Sequence, residues 1–324
     1  MTLMRRSMLK AAGALPLLGL SNAFSQQFPS KPIKIIVPAS PGTSIDATTR
    51  FFAVQLSKRL NTPVLVENKS GAGGLLGYVA AATAAPDGYT LILTGIPLYL
   101  LPLFTESPVP PFDAVKDFAP VARVARVSLA IAVPVDSPYK NMTDLIQAMK
   151  SKPGEVTYSS QGVGSTAHLC GIILNDQSKT KAQHIGYKQT TMAVTDVVGS
   201  RISFTCQTST AVIPLIQGGK LRALAVTGAK RWDALSDVPT VAESGIPNFD
   251  VSSQLDFMAR AQTPEPVLQV LSTHLVQIAQ TQEYKDFCKL QVFSPEAVDA
   301  KSLAPEMTRE AVRWQRVAQL ARGT

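Results

Sequence analysis

The sequence predicts an α/β protein of two lobes, in which each lobe is a mainly parallel sheet flanked by helices and a two-segment hinge joins the lobes. Its 324 residues, of which 45% are hydrophobic and 17% charged, are enough for two ordinary domains. Strand-like and helix-like segments alternate in two series, which is typical of parallel sheets covered on both faces. A strand-like segment at 255–261 returns after the second series, so the second lobe is predicted to be inserted in the first.

The first 25 residues predict a signal peptide. Two arginines and a lysine within residues 5–10 precede an apolar run at 11–20, and residues 23–25 (AFS) offer a small-residue cleavage site. The run is shorter than the roughly 20 residues that span a bilayer, although an uncleaved membrane anchor is the alternative. The arginine pair resembles a twin-arginine signal, but Met4 precedes it in place of a hydroxyl residue, so Sec export stays open.

The elements of the first lobe follow in order. Residues 33–37 (IKIIV) are a β-branched run typical of a buried strand, and a loop rich in Pro, Gly and Ser follows at 38–44. Apolar residues then return at helical spacing, with Ser44 as the predicted N-cap and Asp46 in the first turn. Further elements are predicted as strands at 63–68 and 89–93, a glycine-rich loop at 69–74 and a helix at 75–85, before an irregular stretch at 97–111.

An apolar stretch at 118–133 is predicted to leave the first sheet for a second one. Strands are predicted there at 156–158, 183–185, 201–206 and 221–227, and helices at 141–151, after the loop at 159–166, at 190–199 and at 210–217. Residues 237–240 are predicted to cap a short helix. Three helices at 264–280, 282–290 and 301–322 follow the returning strand. We therefore predict lobe 1 over 26–126 and 249–324 and lobe 2 over 127–248. Two connections of this kind allow hinge closure over a ligand.

Each lobe carries a loop of small residues between a parallel strand and the next helix, at 38–44 and at 159–166. Such loops expose backbone N–H groups at a helix N-terminus, which can bind an anion. Gly162 and Gly164 let the backbone approach a ligand, and Ser160 and Ser165 supply hydroxyl groups. Ligands of open α/β sheets bind beyond the carboxyl ends of the strands. Neither loop contains Arg or Lys, which suits a reversibly bound carboxylate held by N–H groups, hydroxyl groups and water.

Charge and cysteine usage narrow the class of protein. Loss of residues 1–25 removes three basic residues and no acids, so the net charge falls from +8 to +5. The remaining Lys and Arg are scattered, without the basic stripe and interleaved aromatic residues of a nucleic-acid-binding protein. Cys170, Cys206 and Cys288 are an odd set for an oxidising compartment. We expect buried thiols, with one disulfide as the alternative.

The motifs of cofactor, metal and catalytic sites are incomplete. Gly71 and Gly73 begin a dinucleotide-binding pattern, but the third glycine, Gly77, comes one residue late. Residues 137–140 (SPYK) match Ser-x-x-Lys without its partner motifs. The three histidines lack the spacing of zinc ligands, and no convincing acid–base pair is present. We therefore expect no cofactor, no metal and no catalytic residue.

Several segments resemble the Bug family, the periplasmic substrate-binding proteins of tripartite tricarboxylate transporters. In the first lobe the matching segments are 31–38 (KPIKIIVP), 41–42 (PG), 66–68 (VEN), 71–74 (GAGG) and 86–91 (PDGYTL). In the second lobe they are 160–165, 168–169 (HL), 221–227 (LRALAVT) and 237–245 (DVPTVAESG). The match covers nearly the whole chain after the signal peptide, in order.

The resemblance implies a periplasmic-binding-protein-like fold and a monomeric receptor that captures a small organic carboxylate and delivers it to membrane permease subunits. It implies that the loops 40–46 and 160–165 grip the carboxylate ends of the ligand. The expected ligand-binding residues are Ser40, Pro41, Gly42, Thr43, Ser44, Asp46, Gly73 and Thr94 in the first lobe, and Ser160, Gln161, Gly162, Gly164, Ser165, His168, Tyr187 and Thr208 in the second. His168 is also suited to a packed or capping role one turn inside its helix.

Three departures from the family pattern concern the cleft. Thr43 replaces the usual second glycine, which adds a side chain where the backbone should approach the ligand. Residues 185–189 (IGYKQ) replace the usual VPYKG, and residues 255–264 replace a strand that usually carries Trp. We therefore expect an unusual ligand, bulkier or less symmetric than the common ones.

Two other function classes stay open at this point. The first is an exported enzyme on the same scaffold, which would need an acid–base pair or a metal in the cleft. The second is a sensor partner that presents its bound ligand to a membrane histidine kinase. The ligand class also stays open, because a cleft that binds the carboxylate group does not select the body of the ligand. Such a cleft fits dicarboxylates, tricarboxylates, amino acids and aromatic acids.

Overall fold

The computed structural model describes residues 28–71, 74–104 and 111–322, with side chains through residue 320. The predicted signal peptide and Gly73 lie outside the described residues. The strands are β1 (Ile33–Val37), β2 (Val64–Asn68), β3 (Thr90–Thr94), β4 (Phe118–Pro134), β5 (Thr157–Ser160), β6 (Gln183–Gly186), β7 (Phe204–Thr208), β8 (Leu221–Val226), β9 (Ser252–Arg260) and β10 (Ser294–Asp299). The helices are α1 (Ser44–Leu60), α2 (Leu75–Ala82), α3 (Pro97–Leu100), α4 (Met142–Ser151), α5 (Thr166–Ser178), α6 (Thr190–Val198), α7 (Ser209–Gln217), α8 (Glu265–Ala279), α9 (Gln282–Gln291) and α10 (Ala300–Arg322).

The first lobe is built on the strand order β2-β1-β3-β9-β4, with β10 on the other side of β4. Strands β2, β1 and β3 are parallel, whereas β9 runs antiparallel to β3 and to β4. Ile33, Ile35, Ile36 and Val37 of β1 are all buried, because helices cover both faces of this strand. A parallel core with antiparallel strands beside it is therefore the pattern of this lobe.

Strand β4 passes through both lobes, as the apolar stretch at 118–133 predicted. Its first part pairs with β9 as far as Ser128, which lies opposite Ser252. Its last part pairs with β7 and β8, starting at Leu129 opposite Thr208. The second lobe has the strand order β6-β5-β7-β4, with β8 also on β4, and β5, β6 and β7 are parallel. The two-lobed α/β fold class predicted from the sequence is confirmed.

Apolar faces of the helices supply the core. One cluster of buried residues lies between the first sheet and helices α1, α8 and α9, and includes Phe52, Phe257 and Leu271. A second, larger cluster contains Trp314 of α10 together with Tyr158 and Leu169 of the second lobe. Helix α10 contacts β4, α3 and α5, so the last helix of the chain packs against both lobes.

Thr227 holds together the three chain segments where the lobes meet. Its hydroxyl donates to the Val251 carbonyl at 2.6 Å and accepts the N–H of Leu129 at 2.8 Å. The residue is wholly buried, so these bonds form away from water. Nearby, the indole Nε1–H of Trp232 donates to the Ser128 hydroxyl at 2.6 Å.

Four local predictions need correction. The strand predicted at 201–206 begins only at Phe204, because the chain still turns after α6 at Ser200, which has φ 57°. The short helix predicted to follow a cap at 237–240 is a turn at 241–245, in which Thr240 and Glu243 exchange capping-type hydrogen bonds. Strand β10 was not predicted, since its sequence (SPEAVD) has no apolar run. The stretch at 97–111, predicted to be irregular, begins with the short helix α3.

Candidate ligand-binding cleft

The carboxyl ends of the parallel strands of both lobes face the crossing point of β4. Thr94, at the end of β3, lies opposite Asp256 of β9, and the next residues of β9 toward its start reach Ser252, opposite Ser128. From the other lobe, Thr208 at the end of β7 lies opposite Leu129. From this placement and the rule for open α/β sheets, we expect the loops that follow β1, β3, β5, β6 and β7 to border one cleft.

Asp46 fixes the shape of the first loop. Its carboxylate accepts the N–H of Gly42 at 2.9 Å, the Nε–H of Arg50 at 3.1 Å and the Nδ2–H of Asn68 at 2.9 Å. Asn68 also donates to the Ala39 carbonyl at 3.1 Å, which connects β2 to the start of the loop. Both carboxylate oxygens therefore accept hydrogen bonds from the protein. Asp46 stabilises the loop and is not a free acceptor for a ligand.

Asp46 is ionised in this setting. It is 3% exposed, and burial alone would raise the pKa of its carboxyl group. The hydrogen bonds from Arg50, Gly42 and Asn68, together with the charge of Arg50, outweigh this effect and hold the pKa of Asp46 below its ordinary value.

The N-terminus of α1 is left without a side-chain cap. The N-cap residue is Thr43 and not Ser44 as predicted, and the Thr43 hydroxyl donates back to the Ser40 carbonyl at 2.9 Å. The N–H groups of Ser44 and Ile45 in the first turn of the helix have no acceptor within the helix. Ser40, Pro41, Gly42 and Thr43 are exposed at this edge of the cleft.

The second loop is held by its own hydrogen bonds. Ser165 is the N-cap of α5: its Oγ accepts the N–H of His168 at 3.3 Å and donates to the Gly162 carbonyl at 2.7 Å. The N–H of Gly162 donates to Ser160 Oγ at 3.0 Å, and the N–H of Gly164 donates to His168 Nδ1 at 3.2 Å. Gly162 and Gly164 have φ values of 103° and 82°, a conformation that favours glycine.

These bonds change the expected set of ligand donors. The N–H groups of Gly42, Gly162 and Gly164, which the sequence suggested for the ligand, are each engaged within their own loop. The residues beside them are not tied in this way: the start of α1 has no side-chain cap, and Val163 in the second loop is 66% exposed. The glycines thus give the loops their shape, and neighbouring residues present the N–H groups.

Two more helices point their N-termini at the cleft. Helices α6 and α7 start after β6 and β7, and their N-cap residues, Gln189 and Thr208, make no side-chain cap bond. Gln161 spans this region, because its Nε2 donates to Thr190 Oγ1 at 2.9 Å and to Gln207 Oε1 at 2.7 Å. Helix N-termini carry partial positive charge, so this arrangement favours an anion.

The hydroxyl groups of Thr94 and Tyr187, two of the predicted cleft residues, are hydrogen-bonded within the protein. Thr94 is fully buried and donates to the Tyr78 hydroxyl at 2.8 Å. The Tyr187 hydroxyl donates to Asp196 Oδ2 at 2.7 Å, so that Tyr187 offers its ring and not its hydroxyl to its surroundings. A small hollow of about 290 Å³ lies beside it, lined by Tyr187, Thr191, Met192, Thr195 and Asp196.

The structure adds four residues that the sequence analysis did not single out. Arg50 and Asn68 bind Asp46, and His184 and Gln207 bind Ser160 and Gln161. The spacing of four residues between Asp46 and Arg50 on a helix was a usable signal. The other contacts join residues far apart in the chain, and nothing in the sequence pattern marks them.

Ser160 and His184 have the geometry of a nucleophile and a base without its other requirements. Ser160 Oγ lies 2.6 Å from His184 Nε2, but Ser160 is fully buried. Among the described residues no carboxylate hydrogen-bonds to His184, so the orienting third member is missing there. The described part of the chain also contains no group of three His, Cys, Asp or Glu residues placed to hold a metal ion.

The three cysteines are buried free thiols in the structure, as expected from the sequence. No described helix combines the length and the apolar character needed to cross a membrane.

Two α/β lobes around a cleft bordered by helix N-termini define a solute-binding protein of the periplasmic type. The model of the family described as tripartite tricarboxylate transporter family receptor matches residues 48–322, and this chain belongs to that family. The chain is 32% identical to protein BugT of Bordetella pertussis over 292 residues, which are 89% of this chain and 88% of BugT.

Solved structures of the same kind resemble the fold closely. The periplasmic binding protein BugD has a TM-score of 0.75 at 28% identity, with 90% of this chain and 98% of BugD covered. The protein Rpa4515 of R. palustris, solved with adipate, has a TM-score of 0.79 at 27% identity, with 91% and 98% covered. The resemblance to the Bug family that the sequence motifs indicated is confirmed.

Proposed function

We propose that this chain is an exported receptor that captures a small organic carboxylate between its lobes and passes it to the permease subunits of a tripartite transporter. The observation that carries the proposal is the pair of loop-to-helix sites, one after β1 and one after β5, on opposite sides of the β4 crossing. The uncapped N-termini of α1, α6 and α7 supply positive potential without a cationic side chain in either loop.

The lobes in this proposal comprise residues 26–126 with 249–324 and residues 127–248. Closure occurs about the segments at Ser128 and Thr227, where β4 and the return path to β9 are hydrogen-bonded. The receptor is monomeric, works in the periplasm after removal of residues 1–25, and releases its ligand unchanged, so no catalytic residue is assigned. In this proposal the uncapped helix N-termini hold the carboxylate group and leave the body of the ligand to the cleft walls.

Ligand binding is tested by a thermal-shift series. Adipate leads the panel, because Rpa4515, a relative of similar fold, was solved with it; other dicarboxylates, tricarboxylates and aromatic acids follow, with nucleotides and sugars as controls. A ligand that binds only the folded state adds about 2.7 kcal/mol of stability at a hundredfold excess over its dissociation constant. Shifts with the controls and none with carboxylates would refute the carboxylate assignment.

A matched pair of glycine variants locates the site. Gly42 and Gly154 have φ values of 82° and 84°, and a Cβ atom on either would meet no atom within 4 Å. A Gly→Val change therefore adds the same backbone strain, of about 1–2 kcal/mol, at both positions. We expect Gly42→Val to weaken binding of a panel carboxylate at least tenfold, and Gly154→Val to leave it unchanged, by calorimetric titration. If the two variants bind the carboxylate equally well, the first loop is not part of the binding site.

A further inference from the structure

Two imidazole rings lie directly beneath the second loop. His168 comes from the first turn of α5 and His184 from β6, and their ring centroids are 4.2 Å apart with planes inclined at 45°. His168 is 5% exposed, and His184 is half-buried. Each ring nitrogen is hydrogen-bonded toward one glycine of the loop. His168 binds Gly164 directly, and His184 binds Ser160, which in turn binds Gly162.

His168 holds Gly164. The N–H of Gly164 donates to His168 Nδ1 at 3.2 Å, and this nitrogen accepts a hydrogen bond only when it carries no proton. His168 is therefore neutral, with its proton on Nε2. The position of Gly164 is confined from the other side as well, because a Cβ atom there would lie 3.3 Å from the ring of Phe104.

His184 holds Gly162 through a serine. Its Nε2 lies 2.6 Å from Ser160 Oγ, and Ser160 Oγ accepts the N–H of Gly162 at 3.0 Å. Ser160 Oγ accepts the Gly162 N–H whichever partner donates between Ser160 and His184. Ser160 Oγ also lies 3.1 Å from the Gly162 carbonyl, and when His184 Nε2 donates to the serine, the serine hydroxyl is free to donate to that carbonyl. Between the two glycines stands Val163, a residue that is 66% exposed, and none of the hydrogen bonds that hold the loop uses its N–H as the donor.

We propose that His168 and His184 are positioning residues, which keep Gly164 and Gly162 in place so that the second loop presents its free N–H groups to a carboxylate. This inference rests on the proposed function of the loop, and it assigns to His168 a supporting role in place of direct ligand contact. Neither ring needs to touch the ligand for this role.

The surroundings keep both rings neutral. Tyr158 on β5 packs against His184 with ring centroids 5.2 Å apart, and burial raises the pKa of its hydroxyl. Two carboxylates on the neighbouring elements have partners of their own: Asp196 of α6 with Tyr187 and Arg201, and Glu310 of α10 with Arg313. Burial, with a smaller contribution from His184, lowers the pKa of His168 to about 4, and burial lowers the pKa of His184.

The first test reads the tautomer in the ligand-free protein. The chain has only three histidines, so the imidazole ¹⁵N spectrum of the labelled protein is simple to assign. We expect His168 to show an unprotonated Nδ1 and a protonated Nε2 from neutral pH down to about pH 5. A proton on Nδ1 of His168 in that range would overturn the proposal.

The second test uses paired substitutions and hydrogen exchange of the loop amides. In His168→Asn the side-chain oxygen replaces Nδ1 as acceptor, whereas His168→Leu removes the acceptor and keeps an apolar group. We expect exchange of the Gly164 amide to be at least tenfold faster in the Leu variant and near the wild-type rate in the Asn variant. His184→Gln and His184→Leu form the same pair for the Gly162 amide. Equal exchange rates in the Asn and Leu variants would refute the positioning role.

Adipate titration then connects the loop to binding. We expect the two Leu variants to bind adipate at least tenfold more weakly than wild type, and the Asn and Gln variants to recover most of the loss. If wild type itself does not bind adipate, that result counts against the proposed function with this ligand, while the tautomer and exchange data still decide the positioning role. Normal adipate affinity in both Leu variants, with their loops in faster exchange, would overturn the proposal.

Discussion

Asp46→Asn is the substitution that most directly tests how the first loop is held. The carboxylate of Asp46 receives hydrogen bonds from Gly42, Arg50 and Asn68, and a second nitrogen of Arg50 lies 3.0 Å from its Oδ1. An amide in its place keeps one acceptor oxygen and turns an NH₂ group toward donors. At least one of these donors then loses its partner, and the negative charge that pairs with Arg50 is removed.

The expected loss of stability is about 2 kcal/mol. A hydrogen bond to a charged group contributes roughly 1.5–3 kcal/mol, and the carboxylate is buried. The value stays near the low end because Arg50 is 51% exposed, so water and salt already weaken its attraction to Asp46. For a chain of this size the loss corresponds to a decrease of roughly 3 °C in the thermal midpoint.

The pH dependence of the difference has a definite sign. The pKa of Asp46 is lower in the folded state than in the unfolded chain, where an Asp titrates near about 3.9. Its contribution to stability is therefore complete above about pH 4 and is lost as the pH falls through the folded-state pKa. The stability difference between wild type and Asp46→Asn should be constant from pH 5 to 7 and should shrink below about pH 4.

Urea unfolding at several pH values measures this difference, with Asp87→Asn as the matched control. Asp87 accepts from Lys31 at 2.9 Å and from its own loop at Tyr89, but its side chain is 39% exposed, so its loss should cost at most about 1 kcal/mol. The Asp46 variant should also bind carboxylates more weakly, because Gly42 is released. Equal effects of the two substitutions, or a difference that grows toward pH 3, would refute the reasoning.

Three further substitutions probe the other contacts. Ser165→Ala removes the N-cap of α5 and the bond to Gly162, and it should cost about 1 kcal/mol in urea unfolding and weaken carboxylate binding. Asp256→Ala leaves the buried Arg123 with only its outer partners, so it should cost about 3–5 kcal/mol, much of which Arg123→Met should recover in the double variant. Trp314→Ala should cost about 3–5 kcal/mol by the same measurement, because the indole is wholly buried in the cluster that both lobes share.

The sequence was sufficient for the fold because the signals were local. The β-branched run of β1, the apolar length of β4 and the small-residue loops each reflect a requirement of a short segment. Strand β10 was not predicted because its residues have no strand-like pattern of their own. They form a strand by pairing with the segment of β4 from Arg126 to Ala122. Pairing of that kind cannot be read from one segment alone.

The loops themselves were predicted, but the assignment of donors within them was not. Sequence spacing indicates which N–H groups lie near a helix start, and it does not indicate which of them find an acceptor inside the protein. His168 Nδ1, Ser160 Oγ and the carboxylate of Asp46 take the N–H groups of the three glycines. Two of these acceptors stand four residues from their glycine and the third stands two residues away. Contacts from other strands orient them, since Asn68 of β2 binds Asp46 and His184 of β6 binds Ser160, and sequence spacing does not show those contacts.

The same distinction bears on Thr43, which replaces a usual family glycine. A side chain at this position suggested an obstacle to the ligand. In the structure the Thr43 hydroxyl is bonded to the Ser40 carbonyl within the loop, and it does not cap α1. A threonine turned toward α1 would occupy the first N–H groups of the helix, whereas this orientation leaves them free. The bond from Thr43 to Ser40 thus leaves the first N–H groups of α1 available for the carboxylate that we propose binds there.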